Sequence, residues 1–342
     1  FRKKNGLLDN RRKKRILYVR LSKTKINTDT MPISEATLNE THSKIKSLKE
    51  ELSRNISGMS TVIDPLIVGL VAKGHILLEG MPGLAKTLLA KSIANCIDAD
   101  FSRVQFTPDL LPADLTGTNI FNPKSTSFEI KKGPNFTNIL LADEINRAPA
   151  KVQSALLQCM EEKQVTIAES TFDLNPPFFV IATQNPIDQD GTYPLPEAQL
   201  DRFLFKIHVN YPSEDEEYSV LQMHGNLTNK LPKTKKILKA KDLFELSETA
   251  DLIFIDPKLQ HYIVKLIRNT RPESLLAEDI KPFIKHGASP RASLALLKVS
   301  KINALLEGRD FVIPEDIIKY FYQIVNHRIL LSLEAITEDV SV

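Results

Sequence analysis

At 342 residues, 42% of them hydrophobic, with a mean hydropathy of −0.16, the chain has length for two domains and the composition of a soluble globular protein. No apolar run approaches the ~18–20 residues of a membrane span; the longest, over residues 62–72, contains Asp64 and Pro65. The formal net charge of +3 hides an uneven distribution: residues 1–31 hold 11 Lys/Arg and 2 Asp/Glu, and subtracting them from the totals of 45 and 42 leaves 34 and 40, an acidic body. A nucleic-acid reading based on overall basicity would therefore rest wholly on the N-terminal segment.

That segment, with Arg11-Arg-Lys-Lys-Arg15, reads as a disordered basic arm or as non-native sequence, a targeting segment being the third reading. Residues 34–54 then repeat Leu38, Ile45, Leu48 and Leu52 at helical spacing amid Lys and Glu. Asn55-Ile-Ser-Gly-Met59 breaks the pattern, and residues 61–73 resume as an apolar helix. A short apolar run at 76–78 ends in a Gly-rich turn, and an Ala/Leu-rich helix follows over 86–97. Further strand signals fall at 101–106, 139–142, 178–183 and 205–209, with helices at 151–162 and 196–203 among them. Five short apolar strands alternating with helices predict an α/β fold, a five-stranded parallel sheet covered on both faces. Two alternating stretches, residues 115–134 and 164–172, predict β-hairpin inserts. After Tyr211-Pro212 the pattern is helical at 214–227, 241–248, 257–270, 291–306 and 314–331, with no convincing strand. The expected division is a basic segment at 1–31, an α/β domain at 32–212 and a small all-α domain at 213–342. Cys96 and Cys159 sit in helical patterns and read as buried small residues, which suits a reducing cytoplasm. The seven histidines show no ligand spacing, so a metal site built by protein alone is not expected.

The turn after the first strand reads Gly80-Met81-Pro82-Gly83-Leu84-Ala85-Lys86-Thr87-Leu88, a G-x-x-x-x-A-K-T variant of the phosphate-loop pattern G-x-x-x-x-G-K-[ST]. Gly80 and Gly83 let the backbone curl so that successive N–H groups can cradle phosphate oxygens, and the helix beginning near Lys86 adds its positive end. Lys86 is expected to reach the β- and γ-phosphates and Thr87 to take one position on Mg²⁺. Ala85 stands where glycine is usual, so the loop is expected to keep it in a conformation alanine tolerates. The strand at 139–142 ends in Asp143-Glu144: Asp143 suits the Mg²⁺ shell, and Glu144 suits polarising a water for in-line attack. The strand at 178–183 ends in Thr183-Gln-Asn185-Pro, where Asn185, or else Thr183, could position that water. Arg202 follows a short helix and suits an arginine finger reaching a neighbour's γ-phosphate. Arg291 lies at a helix start, where a cation opposes the helix dipole, so an anionic partner is expected: nucleotide phosphate or a surface carboxylate.

With these segments in this order, the chain resembles the AAA+ ATPases, and specifically the MoxR family, over about residues 50–335. The resemblance rests on Gly80-Met-Pro-Gly-Leu-Ala-Lys-Thr87, Asp143-Glu-Ile-Asn-Arg-Ala148, Ala182-Thr-Gln-Asn-Pro186 and Gly191-Thr-Tyr-Pro-Leu-Pro-Glu-Ala-Gln-Leu-Asp-Arg-Phe203. It implies that ATP and Mg²⁺ are held by Lys86, Thr87 and Asp143, with Glu144 as base, Asn185 as sensor 1, Arg202 as trans-acting finger and Arg291 as sensor 2. It implies an adenine pocket near 56–59, a helix-2 insert near 116–134, and a C-terminal lid. Implied partners are a homo-oligomeric, hexameric ring and a von Willebrand factor A domain protein or another protein client for chaperone-like remodelling, including metal or cofactor insertion. Arg147 belongs to the signature but has no role by chemistry alone. A nucleic-acid-translocating motor is the alternative, opposed by the acidic body and favoured only by Lys124, Lys131 and Lys132 of the insert. A non-hydrolysing nucleotide-binding scaffold is a third reading, which the intact Glu144 opposes.

Overall fold

The structure, a computed structural model, describes residues 33–56, 59–81, 83–124, 126–186, 192–224 and 234–342; the basic segment at 1–31 lies outside the described residues. The strands in chain order are β1 (His75–Gly80), β2 (Phe101–Gln105), β3 (Gly117–Asn122), β4 (Ser127–Lys132), β5 (Ile139–Asp143), β6 (Gln164–Ile167), β7 (Ser170–Asp173), β8 (Phe179–Gln184) and β9 (Phe203–Val209). Five of them form one parallel sheet in the order β2-β5-β8-β1-β9. Because successive strand residues point to opposite faces, each central strand feeds two cores. Ile76 and Leu78, Ile139 and Leu141, and Phe179 and Ile181 enter one buried cluster. Leu77, Leu140 and Ala142, and Val180 and Ala182 enter the other. Such continuous apolar runs are what a sheet covered on both faces requires.

On the first face pack α1 (Glu35–Asn55), α2 (Ser60–Val71) and α3 (Lys86–Cys96), and on the second α4 (Pro112–Thr116) and α5 (Ala150–Glu162). Ser34 caps α1, its hydroxyl accepting from the Thr37 N–H at 3.0 Å. Cys96 and Cys159 are buried free thiols, as their helical settings imply. The predicted inserts are present as antiparallel hairpins, β3–β4 and β6–β7. All of β4 is exposed, and Phe121 and Phe128 meet across the first hairpin with ring centroids 5.4 Å apart.

The helix read at 196–203 is a single turn, α6 (Glu197–Leu200), because Phe203 already joins β9 beside His75. Beyond β9 come α7 (Glu214–His224), α8 (Ala240–Asp251), α9 (Pro257–Arg268), α10 (Pro290–Leu306), α11 (Pro314–Ile318), α12 (Phe321–Val325) and α13 (Leu333–Thr337). A short antiparallel pairing of β10 (Ile284–His286) with β11 (Leu330–Leu331) is added to this helical unit. The continuous helix expected over 314–331 is instead α11, α12 and β11, and tertiary contacts explain the breaks. Tyr320 leaves helical geometry at φ −116°, ψ 14° and lays its buried ring against Phe205 at 5.6 Å. Past α12, His327 and Arg328 turn back onto the sheet, where His327 Nε2 meets the Phe203 carbonyl at 3.1 Å. Among the described residues no helix is long and apolar enough to cross a membrane.

Arg328 ties the helical unit to the sheet. Its side chain is 3% exposed, and Nε donates to Asp201 Oδ1 at 2.7 Å while Nη2 donates to the carbonyls of Phe203 at 2.6 Å and Asp201 at 3.2 Å. Removing one member of a buried, hydrogen-bonded ion pair typically costs about 3–5 kcal/mol because the other charge stays buried. Arg328→Ala is therefore expected to lower unfolding free energy by about that much, read as a fall in denaturant midpoint; an unchanged midpoint would show the staple to be dispensable.

Candidate nucleotide site

Parallel strands bring their C-terminal ends to one edge, where the chain must turn and where α/β sheets bind ligands. There Gly80 ends β1, Asp143 ends β5 and Gln184 ends β8. Together with Gly83, Leu84, Ala85, Lys86, Thr87, Arg103, Gln105, Glu144, Thr183 and Asn185 they line a cleft of about 370 Å³.

The turn after β1 holds Gly83 at φ +86° and Ala85 at φ +50°, ψ +21°, the left-handed region. Ala85 thus does not escape to a conformation easy for alanine; it keeps the glycine-like one. The loop tolerates a cost of order 1–2 kcal/mol because the curl that turns consecutive N–H groups inward demands it. Gly80 has a different reason: a Cβ there would lie 2.5 Å from the Val209 carbonyl of the adjoining strand. Ala85 is the N-cap of α3, so Lys86 and Thr87 occupy its first turn, with Leu88 half-buried next to them. Pro82 lies outside the described residues, and Met81 is half-buried. Lys86 Nζ donates to the Gly80 carbonyl. Burial holds its pKa below the ordinary lysine value, against the pull of Asp143, Glu144 and Glu79.

Asp143 and Glu144 are fixed by residues that local patterns do not reveal. Asp143 Oδ2 accepts from Arg103 Nη2 at 2.7 Å and Nε at 3.1 Å, and Oδ1 accepts from Thr183 Oγ at 2.6 Å. Glu144 has left-handed backbone, φ +56°, ψ +51°. Its N–H donates to Thr183 Oγ at 2.8 Å, and its Oε2 accepts from Gln105 Nε2 at 2.8 Å and Arg147 Nη1 at 2.9 Å. Arg103 and Gln105 are alternate residues of β2, on one face, with Gln105 in register with Asp143. Thr183, the second choice for positioning the water, joins the Asp143 carboxylate to the Glu144 backbone N–H through its buried hydroxyl. Asn185 lines the cleft, its backbone carbonyl held by Asn146 Nδ2 at 3.2 Å. Arg147 acquires a contact that chemistry alone could not supply, the Glu144 carboxylate.

These residues suit a magnesium nucleotide. Mg²⁺ uses one or two carboxylates and completes its shell with phosphate and water, which matches one hydroxyl and one carboxylate from Thr87 and Asp143. Among the described residues no cluster of three acidic, histidine or cysteine ligands exists that would hold a metal without phosphate. The buried Gln184 Oε1 has no hydrogen-bond partner among the described residues, an unmet polar atom on the wall of the cleft. The expected adenine contacts near 56–59 are not part of this cleft: Ile56 and Met59 are buried in the first core, and residues 57–58 lie outside the described residues.

The two remaining candidate residues sit elsewhere. Arg202 and Arg291 line a second cavity, of about 210 Å³, with His75, Met160, Glu161 and Asp201. His75 begins β1 and Gly80 ends it, so the cavities lie at opposite ends of a six-residue strand, roughly 17 Å at strand rise. Arg202 Nε lies 3.1 Å from Glu161 Oε2, and Arg291 Nη2 donates to Glu161 Oε1 at 2.9 Å. Of the two anionic partners expected for Arg291, the chain itself supplies the carboxylate. His75 adds no charge, since burial and the nearby Lys163 push its pKa down to about 3. In the β3–β4 insert, Lys132 is committed to the rings of Phe136 and Phe172 at 4.7 and 5.5 Å, which weakens the basic stripe a nucleic-acid motor would use.

Comparison with known proteins agrees with this architecture. The family model described as "ATPase family associated with various cellular activities (AAA)" matches residues 75–205, and an AAA lid domain model matches residues 276–341. Chaperone MoxR1 of Mycobacterium tuberculosis is 47% identical over 292 residues, 85% of this chain and 77% of that protein. Protein MoxR of Paracoccus denitrificans is 29% identical over 87% of this chain and 92% of its own length. A crystal structure of a Cytophaga hutchinsonii protein superposes with a TM-score of 0.85 at 47% identity, covering 90% of this chain and 93% of that one.

Proposed function

Since the chain belongs to the MoxR family of AAA+ ATPases, we propose that it hydrolyses ATP with Mg²⁺ in a ring, hexameric by resemblance, to remodel or mature client proteins. The observation that carries the reading is the meeting of Lys86, Thr87, Asp143, Glu144 and Asn185 on one cleft, with Arg202 and Arg291 at the other end of the sheet. The turn at 80–85 and Lys86 bind the phosphates; Thr87 and Asp143 would hold the metal, and Arg103 fixes the Asp143 carboxylate. Mg²⁺ held there would supply positive charge against the phosphate oxygens. Glu144 accepts the proton of the attacking water, and Asn185 orients that water. A finger roughly 17 Å from its own cleft serves a neighbour's, which makes the assembly part of the catalyst.

The domain division that fits this reading is a nucleotide-binding unit at 32–212 and a lid at 213–342. The exposed β3–β4 hairpin supports a protein client: Ile120, Phe121, Phe128 and Ile130 are each 39–70% exposed, an apolar surface of the kind that binds protein. A von Willebrand factor A domain protein is one such partner, and the two buried free thiols suit a cytoplasmic setting.

Purified chain should release phosphate from ATP only with Mg²⁺, and Lys86→Ala should weaken binding of a fluorescent ATP analogue by more than tenfold. Sedimentation with ATP should give a ring rather than a monomer. Wild-type nucleotide affinity in Lys86→Ala would remove the cleft from the proposal.

A further inference from the structure

We propose that Glu161 is a positioning residue for the trans-acting Arg202: it holds the Arg202 guanidinium by its Nε edge and couples it to Arg291 of the lid. The proposal rests on the reading that Arg202 serves a neighbour's nucleotide. Three observations carry it. First, the contact to Arg202 is made through Nε, 3.1 Å from Glu161 Oε2. Among the described residues its two terminal nitrogens make no hydrogen bond, which leaves the planar fork of the guanidinium for phosphate oxygens. Second, the other carboxylate oxygen, Oε1, takes Arg291 Nη2 at 2.9 Å, so one side chain of α5 holds a cation from the core and a cation from the lid. Third, Asp201 cannot substitute. Its Oδ1 takes Arg328 Nε at 2.7 Å and its Oδ2 takes Ser289 Oγ at 3.1 Å, while Arg291 Nη1 stays 4.0 Å away.

Helix stability does not explain the arrangement. Glu161 is next to last in α5, where a negative charge opposes the helix dipole, and Arg291 is second in α10, where a positive charge does. Each is on the wrong end of its own helix. The side chains are 32–52% exposed, and ion pairs so open to solvent contribute little to folding. What the carboxylate does is to keep two guanidiniums adjacent despite their mutual repulsion, and to fix Arg202 to a rigid helix rather than to the loop that carries it. A lid that swings takes Arg291 with it, and Glu161 transmits that motion to the finger.

The test uses the full chain and its mixed assemblies. Glu161→Ala should melt at the wild-type temperature and bind the ATP analogue normally, yet hydrolyse ATP about 10–100-fold more slowly, the loss that a displaced catalytic group brings. Mixed with Lys86→Ala, it should regain activity, because the Lys86→Ala subunits supply intact fingers to its intact clefts. Mixed with Arg202→Ala it should not, because both partners then lack the same function. Wild-type turnover by Glu161→Ala beside an inactive Arg202→Ala overturns the role of Glu161 alone. Restoration in the Arg202→Ala mixture but not in the Lys86→Ala mixture overturns it too, by placing Glu161 in its own subunit's cleft. Wild-type turnover by Arg202→Ala instead removes the trans reading on which the proposal rests.

Discussion

Glu144→Gln is expected to bind ATP as the wild type does and to hydrolyse it about 10²–10⁴-fold more slowly, the usual contribution of a positioned general base. The substitution is close to isosteric, so the backbone N–H of residue 144 keeps its bond to Thr183 Oγ and the left-handed turn survives. What disappears is the carboxylate charge, and with it the group that accepts the proton. The Glu144 carboxylate has two donors on Oε2, Gln105 Nε2 and Arg147 Nη1. Both donors sit on Oε2, so Oε1 is the oxygen left to accept the proton of the attacking water. Phosphate release against titration of a fluorescent ATP analogue separates the two effects. Equal turnover in both proteins would mean that another group is the base. The slow variant is also a tool: held with ATP, it should retain client that the wild type releases, and mass spectrometry of what co-purifies would identify that client. Binding of duplex DNA at ~150 mM salt by a chain starting at Met31 would point to a motor instead.

The parts legible in the sequence are those in which neighbours in the chain are neighbours in the site. The phosphate turn, the adjacent acids and the amide at the end of β8 each occupy fewer than ten consecutive residues. Parallel pairing then brings them together, and apolar strands alternating with helices already imply that pairing. Arg103 and Gln105 were not legible as site residues. They stand in a recognisable strand, but which carboxylate they face depends on the register of β2 against β5, about 40 residues away. The available signal was weak: two polar residues two apart, on one face of an otherwise apolar sheet. The staple formed by Arg328 was hidden for the same reason, since its acceptors lie at 201–204 and local helical spacing at 314–331 said only that the segment was helix. Ala85 is a different failure. Its residue type argues against positive φ, and only the demand of the surrounding turn overrides it. Across these cases local preference was overruled where the cleft or the lid contact needed a particular geometry.

Arg202→Ala should lower the turnover number by about 10³–10⁵-fold, the range for an arginine finger, with nucleotide affinity retained. Binding survives because Arg202 is absent from the lining of the phosphate cleft and is tied instead to Glu161. Folding survives because the residue is about one-third exposed and its one ion pair is open to solvent. The backbone on either side is held by Arg328 rather than by Arg202 itself. Lys86→Ala fails for the opposite reason: it keeps the finger and loses the cleft. Each variant alone then has no complete site, yet a ring containing both does, wherever an intact Lys86 meets an intact Arg202 across an interface. Random assortment of equal amounts around a head-to-tail ring makes roughly a quarter of interfaces complete. Activity regained on mixing, rising and falling with the product of the two fractions, is the signature of a shared site. If the mixture stays as inactive as its components although sedimentation shows mixed rings, Arg202 does not act across the interface, and the distance between the two cavities must be closed by movement within one chain.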